Sequence, residues 1–182
     1  MEAPVNRRAS QAVSQRDQLR RATQTAHAKA EARWFRMGSF ANRSSYDTWL
    51  SSLFLAHARL GAVATKDGML SRYGRIEAAR KSALLSDLEA DYIDCSETRP
   101  VSASWSWGVL YALHGSSLGA SVLLKTNAID ASWPRRYLEE MRGFATSGQL
   151  SKFFRDLNAT PANTEEMVAG ANAVFDLLAA NN

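Results

Sequence analysis

The sequence predicts a single all-α domain. Three observations carry this. Apolar residues recur at helical spacing along most of the chain, no run of alternating apolar and polar residues is long enough for a strand, and capping residues divide the chain into helix-length pieces. A length of 182 residues suits one domain with a sizeable core.

The elements follow in order. Residues 1–13 contain no apolar core and read as a disordered tail ahead of a helical domain over 14–182; they do not form a secretory signal. The first helix is expected from Ser14 to Phe35, with Ser14 as cap and Asp17 in the first turn. A second starts near Ser44 or Ser45 and carries Tyr46, Trp49, Leu50, Leu53, Phe54, Ala58, Leu60, Gly61 and Ala64, a strongly amphipathic pattern. A weaker helical region covers about Tyr73 to Tyr92, and Asp94 to Ser104 reads as a loop around Pro100. A helix from about Ser104 to Lys125 follows. Ser132-Trp133-Pro134 reads as a further helix start, with Ser132 as cap, and that helix ends near Ser147-Gly148. A short helix spans about Leu150 to Leu157, and Thr164-Glu165-Glu166 opens the last one.

Charge and composition narrow the function classes. The 22 Lys and Arg exceed the 18 Asp and Glu by only 4, and the basic residues are spread along the chain, unlike the single basic face of a nucleic-acid binder. The single cysteine, Cys95, has no disulfide partner and no zinc motif, and a reducing, cytoplasmic compartment is the default. From Pro100 to Leu124 there is no charged side chain, a length that could span a bilayer. Its centre reads His-Gly-Ser-Ser, where a span should be most apolar, so a buried core helix is expected instead.

That helix holds the main puzzle. Gly115 and Gly119 stand in LHGSSLGASVLLK, and each costs roughly 1 kcal/mol against Ala inside a helix. One turn apart, they share a face. Either the backbone there approaches a flat ligand, or it packs closely against another helix.

The sequence has three histidines: His27, His57 and His114. None has a carboxylate three or four residues before it, which disfavours a di-iron centre, and no phosphate-binding loop, zinc-protease motif or nucleophile elbow occurs. His27 reads as a half-buried histidine or a metal ligand, with Arg20 two turns earlier on the same side. His57 lies on the apolar face of the second helix and reads as a core histidine. His114 faces a pocket or packs.

Two segments together resemble the heme oxygenase family. Residues 19 to 35, LRRATQTAHAKAEARWF, are similar to the family's pattern Leu-basic-x-Ala-Thr-x-x-x-His-x-x-Ala-Glu, matched by Leu19, Arg20, Ala22, Thr23, His27, Ala30 and Glu31. Residues 107 to 125, WGVLYALHGSSLGASVLLK, resemble the distal helix of bacterial, biliverdin-producing members, which often read close to LYVLEGSxLGG. The resemblance implies a multi-helical bundle with heme between the first helix and the glycine-interrupted distal helix. It implies that His27 ligates the iron, that Arg20 meets a heme propionate, and that Lys152 falls where relatives place another propionate partner. Gly115, Ser116 and Gly119 would form the distal face, with His114 beside it.

The implied reaction takes heme, O2 and electrons from an external ferredoxin or flavoprotein reductase to biliverdin, CO and ferrous iron. A biliverdin-using phytochrome is a possible recipient of the product. Two departures stand out. Some members carry aspartate after the first distal glycine where this chain has Ser116, although bacterial ones often have Ser or Ala there; and His114 replaces a frequent Glu. A hydroxyl holds a water but brings no charge. A heme carrier or sensor without turnover, and a scaffold of the same fold, remain open.

Overall fold

A computed structural model describes residues 13–36, 40–66, 68–91, 100–126 and 128–180, and the described residues form helices joined by turns. The expected tail lies outside them except for Val13, and so does Cys95.

The expected first helix is two pieces, α1 (Gln15–Ala22) and α2 (Gln24–Arg36). Ser14 caps α1 by accepting from the Asp17 amide. The break is at Thr23, whose hydroxyl donates to the Leu19 carbonyl at 2.8 Å, a bond that competes with the helical ladder and bends it. The second helix starts earlier than expected. Asn42 caps α3 (Arg43–Leu55) through the Ser45 amide, and the chain then widens into a π-helical segment, Ala56–Gly61, before the short α4 (Ala62–Ala64). A 3-10 turn over Gly68–Tyr73 leads into α5 (Gly74–Leu88).

The uncharged stretch is also broken, into α6 (Ala103–Gly115), capped by Ser102, and α7 (Ser117–Lys125). Ala103–Lys125 is long and apolar enough to cross a membrane, yet half of its most apolar window is buried inside the protein, as in a core helix. The expected cap of the next helix is displaced. Ser132 bonds to Asp130, and α8 (Arg136–Thr146) starts later, with no side-chain bond from its own cap residue. Asp87 at the end of α5 supplies that cap, accepting from the amides of Arg136 and Tyr137 at 3.0 and 2.8 Å. A partner from another helix satisfies the free amides as well as a local Ser would. α9 (Gln149–Ala159) and α10 (Thr164–Ala179), the latter capped by Asn163, complete the chain.

Two apolar clusters hold the helices together. One gathers Leu19, Trp107, Leu110, Leu113, Phe153, Leu157, Met167 and Val174 from α1, α6, α9 and α10. The other gathers Tyr46, Leu50, Leu84, Leu138 and Met141 from α3, α5 and α8. Each large side chain so buried contributes on the order of 2 kcal/mol. α6 and α10 run antiparallel and touch backbone to backbone. A Cβ on Gly108 would lie 1.8 Å from the Met167 carbonyl oxygen, and one on Gly170 2.0 Å from that of Trp105. α10 also carries α1 and α2. The Thr164 hydroxyl donates to Gln18 Oε1, Phe175 meets the His27 ring edge-on with centroids 5.2 Å apart, and Ala179 accepts from Arg33.

Candidate functional site

The α6–α7 stretch has two faces of opposite character. Inward, Trp107, Leu110, Leu113, His114 and Ser117 are buried. Outward, Gly115, Leu118, Gly119 and Val122 fall at i, i+3, i+4 and i+7, one face of a helix. That spacing normally marks the buried stripe. Here Leu118 and Val122 are 51% and 57% exposed. A Cβ built on Gly115 or Gly119 meets nothing within 4 Å. Close helix packing therefore does not explain these two glycines, and the small-residue contact lies instead at Gly108 and Gly170. Ser116, at the break between the helices, is exposed and donates to the Leu113 carbonyl at 2.6 Å.

His27 sits on α2 with about half of its side chain exposed. Its Nδ1 lies 3.5 Å from a Glu31 carboxylate oxygen one turn on. Among the described residues neither ring nitrogen has a hydrogen-bond partner, so the half-exposed ring is free to offer a nitrogen to a ligand. Arg20 is exposed in the last turn of α1. It lies close enough to Tyr111 of α6 for its charge, with that of Arg16, to act on the Tyr111 hydroxyl. Burial pushes the pKa of that hydroxyl up, and Thr23 beside it acts in the opposite sense. Arg16 in turn covers Phe154 of α9, 4.2 Å from the ring centre. Arg16, Arg20, Thr23 and Tyr111 thus join α1 to α6, one turn before Gly115 on α6 and one turn before His27 on α2. Tyr111 was legible only as the residue four before Gly115.

The structure does not bring the other two expected ligand contacts to this place. Lys152 is exposed on α9. It stands two residues before Phe154, which faces Tyr111, so it projects from roughly the opposite side of that helix. His114 is fully buried. Its Nε2 bonds to Glu77 at 3.1 Å, and its ring lies against Phe153 and Phe144. As the first residue of the Gly115 turn it points inward, because Gly115 itself takes the open side.

Behind the open face lies a network that sequence spacing does not reveal. Glu77 accepts from His57 Nδ1 at 2.6 Å, from His114 at 3.1 Å and from Arg80 at 3.1 Å, all of them buried. His57 Nε2 reaches the Tyr137 hydroxyl at 3.1 Å. His57 lies in the π segment, and Gly61 of the same segment leaves the space into which Glu77 fits, since a Cβ there would come 2.5 Å from the carboxylate. Burial alone would raise the Glu77 pKa. The His57 charge, the bonds from both histidines and the Arg80 charge outweigh it and hold the carboxyl well below its usual range. Burial, with Arg80, depresses His114 to about 4. His57, Glu77 and His114 do not form a metal-binding group; among the described residues no set of three such side chains does.

Elsewhere, a cavity of about 480 Å3 opens between α5 and α8, lined by Arg75, Arg136, Glu139, Glu140 and Phe144 among others. It is separate from the glycine face and mixes both signs of charge.

No family model and no curated protein matches the sequence. Among solved structures, the fold is similar to that of the NO- and CO-bound heme oxygenase from Neisseria meningitidis, with a TM-score of 0.65, 20% identity, and coverage of 92% of this chain and 89% of that one. The chain has the all-α heme-oxygenase fold.

Proposed function

We propose that the protein binds heme between α2 and the α6–α7 stretch and converts it to biliverdin. The observation that carries this reading is the open apolar stripe Gly115, Leu118, Gly119 and Val122. A contiguous apolar face left uncovered marks a binding surface, and two glycines with nothing above them suit a wide, flat, apolar ligand that must meet backbone. The donors present fit heme: His27 offers a free Nε2 for iron, while Arg16, Arg20 and Tyr111 form a basic, hydrogen-bonding edge for its carboxylates. A neutral flat ligand would need no such edge.

Heme, once bound, supplies the chemistry of its own ring opening with O2 and electrons from an external donor such as a ferredoxin or flavoprotein reductase. The chain's residues do the rest. Glu31 places a carboxylate beside the His27 ring, Arg20 and Tyr111 fix which edge of the ligand faces out, and Ser116 presents a hydroxyl at the helix break. A cytoplasmic setting, rich in reductants, suits this work. Delivery of biliverdin to a phytochrome is one use of the product. A bis-histidine carrier is the weaker reading, since His114 Nε2 is held by Glu77 inside the core.

The test is a heme titration followed by reduction. Purified protein should give a Soret complex that His27→Ala alters, and under ascorbate or a ferredoxin system with O2 that band should decay into biliverdin absorption. A Soret band left unchanged by reductant and oxygen would sink the proposal.

A further inference from the structure

The cleft between α5 and α8 has no part in the heme reading, and one side chain in it keeps a donor unused. Arg80 of α5 has a side chain only 2% exposed, yet it lines the cleft. Its Nη1 donates to Glu77 at 3.1 Å, and its Nη2 reaches Ser117 only at 3.5 Å. Its Nε donates to no group among the described residues and is not sealed in the core. That N–H therefore opens on the cleft. Nε–H and the adjacent Nη2–H point the same way, a fork that matches the two oxygens of a carboxylate. Glu77 on one side and the Phe144 ring, 4.6 Å away, on the other hold the fork in place before any ligand arrives.

The walls agree with an anion at that spot. α5 and α8 run antiparallel, since Asp87 at the end of α5 holds the first amides of α8. The start of α5, with Arg75, thus stands beside the end of α8 and the start of α9. α9 begins at Gly148 with no side-chain bond to its first-turn amides, so Gln149 brings the positive end of an 11-residue helix to the same end of the cleft. Gly143 keeps the α8 wall open. Its φ is not positive, and a Cβ on it would meet nothing within 4 Å, so neither backbone nor packing asks for glycine there. Ile76 and Phe144 supply apolar surface. The far end carries Glu139 and Glu140 against Arg136 alone, a net negative charge.

We propose that this cleft is a second ligand site, separate from the heme face, that takes a small monocarboxylate with an apolar body. The carboxylate meets Arg80 Nε, Arg75 and the α9 amides, and the body lies over Gly143 against Ile76 and Phe144. The acidic end turns away a ligand with a second carboxylate. The volume of about 480 Å3 is ordinary for a small-molecule site. Nothing in this assignment depends on the heme reading.

The test uses the heme-free full chain, 15N-labelled and titrated with sodium benzoate. The Gly143 and Gln149 amide signals should shift and saturate with a roughly millimolar Kd, ordinary for so small a ligand, while Gly115 and Gly119 stay in place. Terephthalate, with a second carboxylate, and benzylamine, of opposite charge, should each bind at least about tenfold more weakly. Gly143→Leu fills the cleft and should weaken benzoate by about tenfold or more. Arg75→Gln should weaken it by about threefold, the loss expected for an exposed charge. Both substitutions lie at exposed positions, and circular dichroism and melting report whether the fold survives. Benzoate shifts that fail to saturate at Gly143 and Gln149, or that appear only at Gly115 and Gly119, overturn the proposal. So does benzylamine or terephthalate binding as tight as benzoate, or undiminished benzoate affinity in a folded Gly143→Leu protein. Should that variant not fold, native affinity in Arg75→Gln overturns it instead. A failed heme titration sinks only the function proposed above and leaves these results standing.

Discussion

Gly108 and Gly115 lie two turns apart in one helix and are there for opposite reasons. At Gly108 the backbone of α10 presses so closely that a Cβ would sit 1.8 Å from a carbonyl oxygen; at Gly115, as at Gly119, a Cβ would meet nothing within 4 Å. The first glycine closes the bundle, and the second leaves a face of it bare. A glycine in a helix thus has no meaning of its own. What stands opposite decides whether it serves packing or a ligand, and the two uses predict different failures.

The largest expected effect is at the closed face. Gly108→Ala or Gly170→Ala forces backbone against backbone, where no side chain can yield. Overpacking of this kind costs about 3 kcal/mol or more. Urea denaturation should show that loss or a failure to fold, and heme binding should fall only along with folding. A stable Gly108→Ala protein would mean that α6 and α10 stand further apart, and the contrast between the two faces would collapse.

A second change strikes the open face. Gly119→Leu should leave the helical circular-dichroism signal and the melting temperature close to native, because nothing stands near the added side chain. Heme binding should weaken by about 100-fold or more, equal to roughly 3 kcal/mol. Undiminished heme affinity in a folded Gly119→Leu protein would move the ligand away from this helix.

The inner face also has a pH signature. The His114 pKa is lowered from 6.5 in the free residue to about 4 by burial. The unfolded chain therefore takes up a proton at higher pH than the folded one, and stability must fall as pH drops from about 6.5 to about 4. The loss from His114 reaches about 3 kcal/mol at the acid end. Glu77, held below its ordinary range, extends the loss to lower pH, since its stabilisation is present above the unfolded carboxyl range and disappears below it. Denaturation midpoints at pH 7 and pH 4.5 should show the drop equally in the native chain and in Gly119→Leu, because the network lies behind the open face. A drop that changes with Gly119→Leu would show the two faces to be coupled.

How much of this was legible in the sequence depends on the range of the interaction. The helical segments follow from local periodicity, and the shared face of Gly115 and Gly119 follows from their spacing. The breaks do not. Thr23 and Ser116 turn on where one hydroxyl finds a carbonyl, and helical spacing is silent on that. Neither does the start of α8, where Ser132 looked like a cap but Asp87, 49 residues before Arg136, holds the amides. Glu77 lies 20 residues from His57 and 37 from His114, so nothing in a local window marks it as their common partner. The side taken by His114 was left open for a related reason. Adjacency to Gly115 allowed either a pocket or packing, and since neighbours in a helix project about 100° apart, the outward glycine leaves His114 buried against Glu77. Gly108 and Gly170 read as ordinary helix positions until the crossing of α6 and α10 explains them.

The smallest effect is the sharpest test of the comparison, because its sign is opposite to the first. Gly115→Ala adds a methyl group where nothing lies within 4 Å. It removes the conformational freedom that glycine gives the unfolded chain, and alanine is the better helix former. Stability should rise by about 0.5–1 kcal/mol, less if the end of α6 at Gly115 dilutes the helix term. The same substitution at Gly108 should lower stability several-fold more than this raises it. If heme meets the backbone here, Gly115→Ala should weaken its binding while stabilising the heme-free protein, so that one methyl group moves the two quantities in opposite directions. A protein that gained stability and kept full heme affinity would leave Gly119 alone as the point of close approach; one that lost stability would show that the face is not bare.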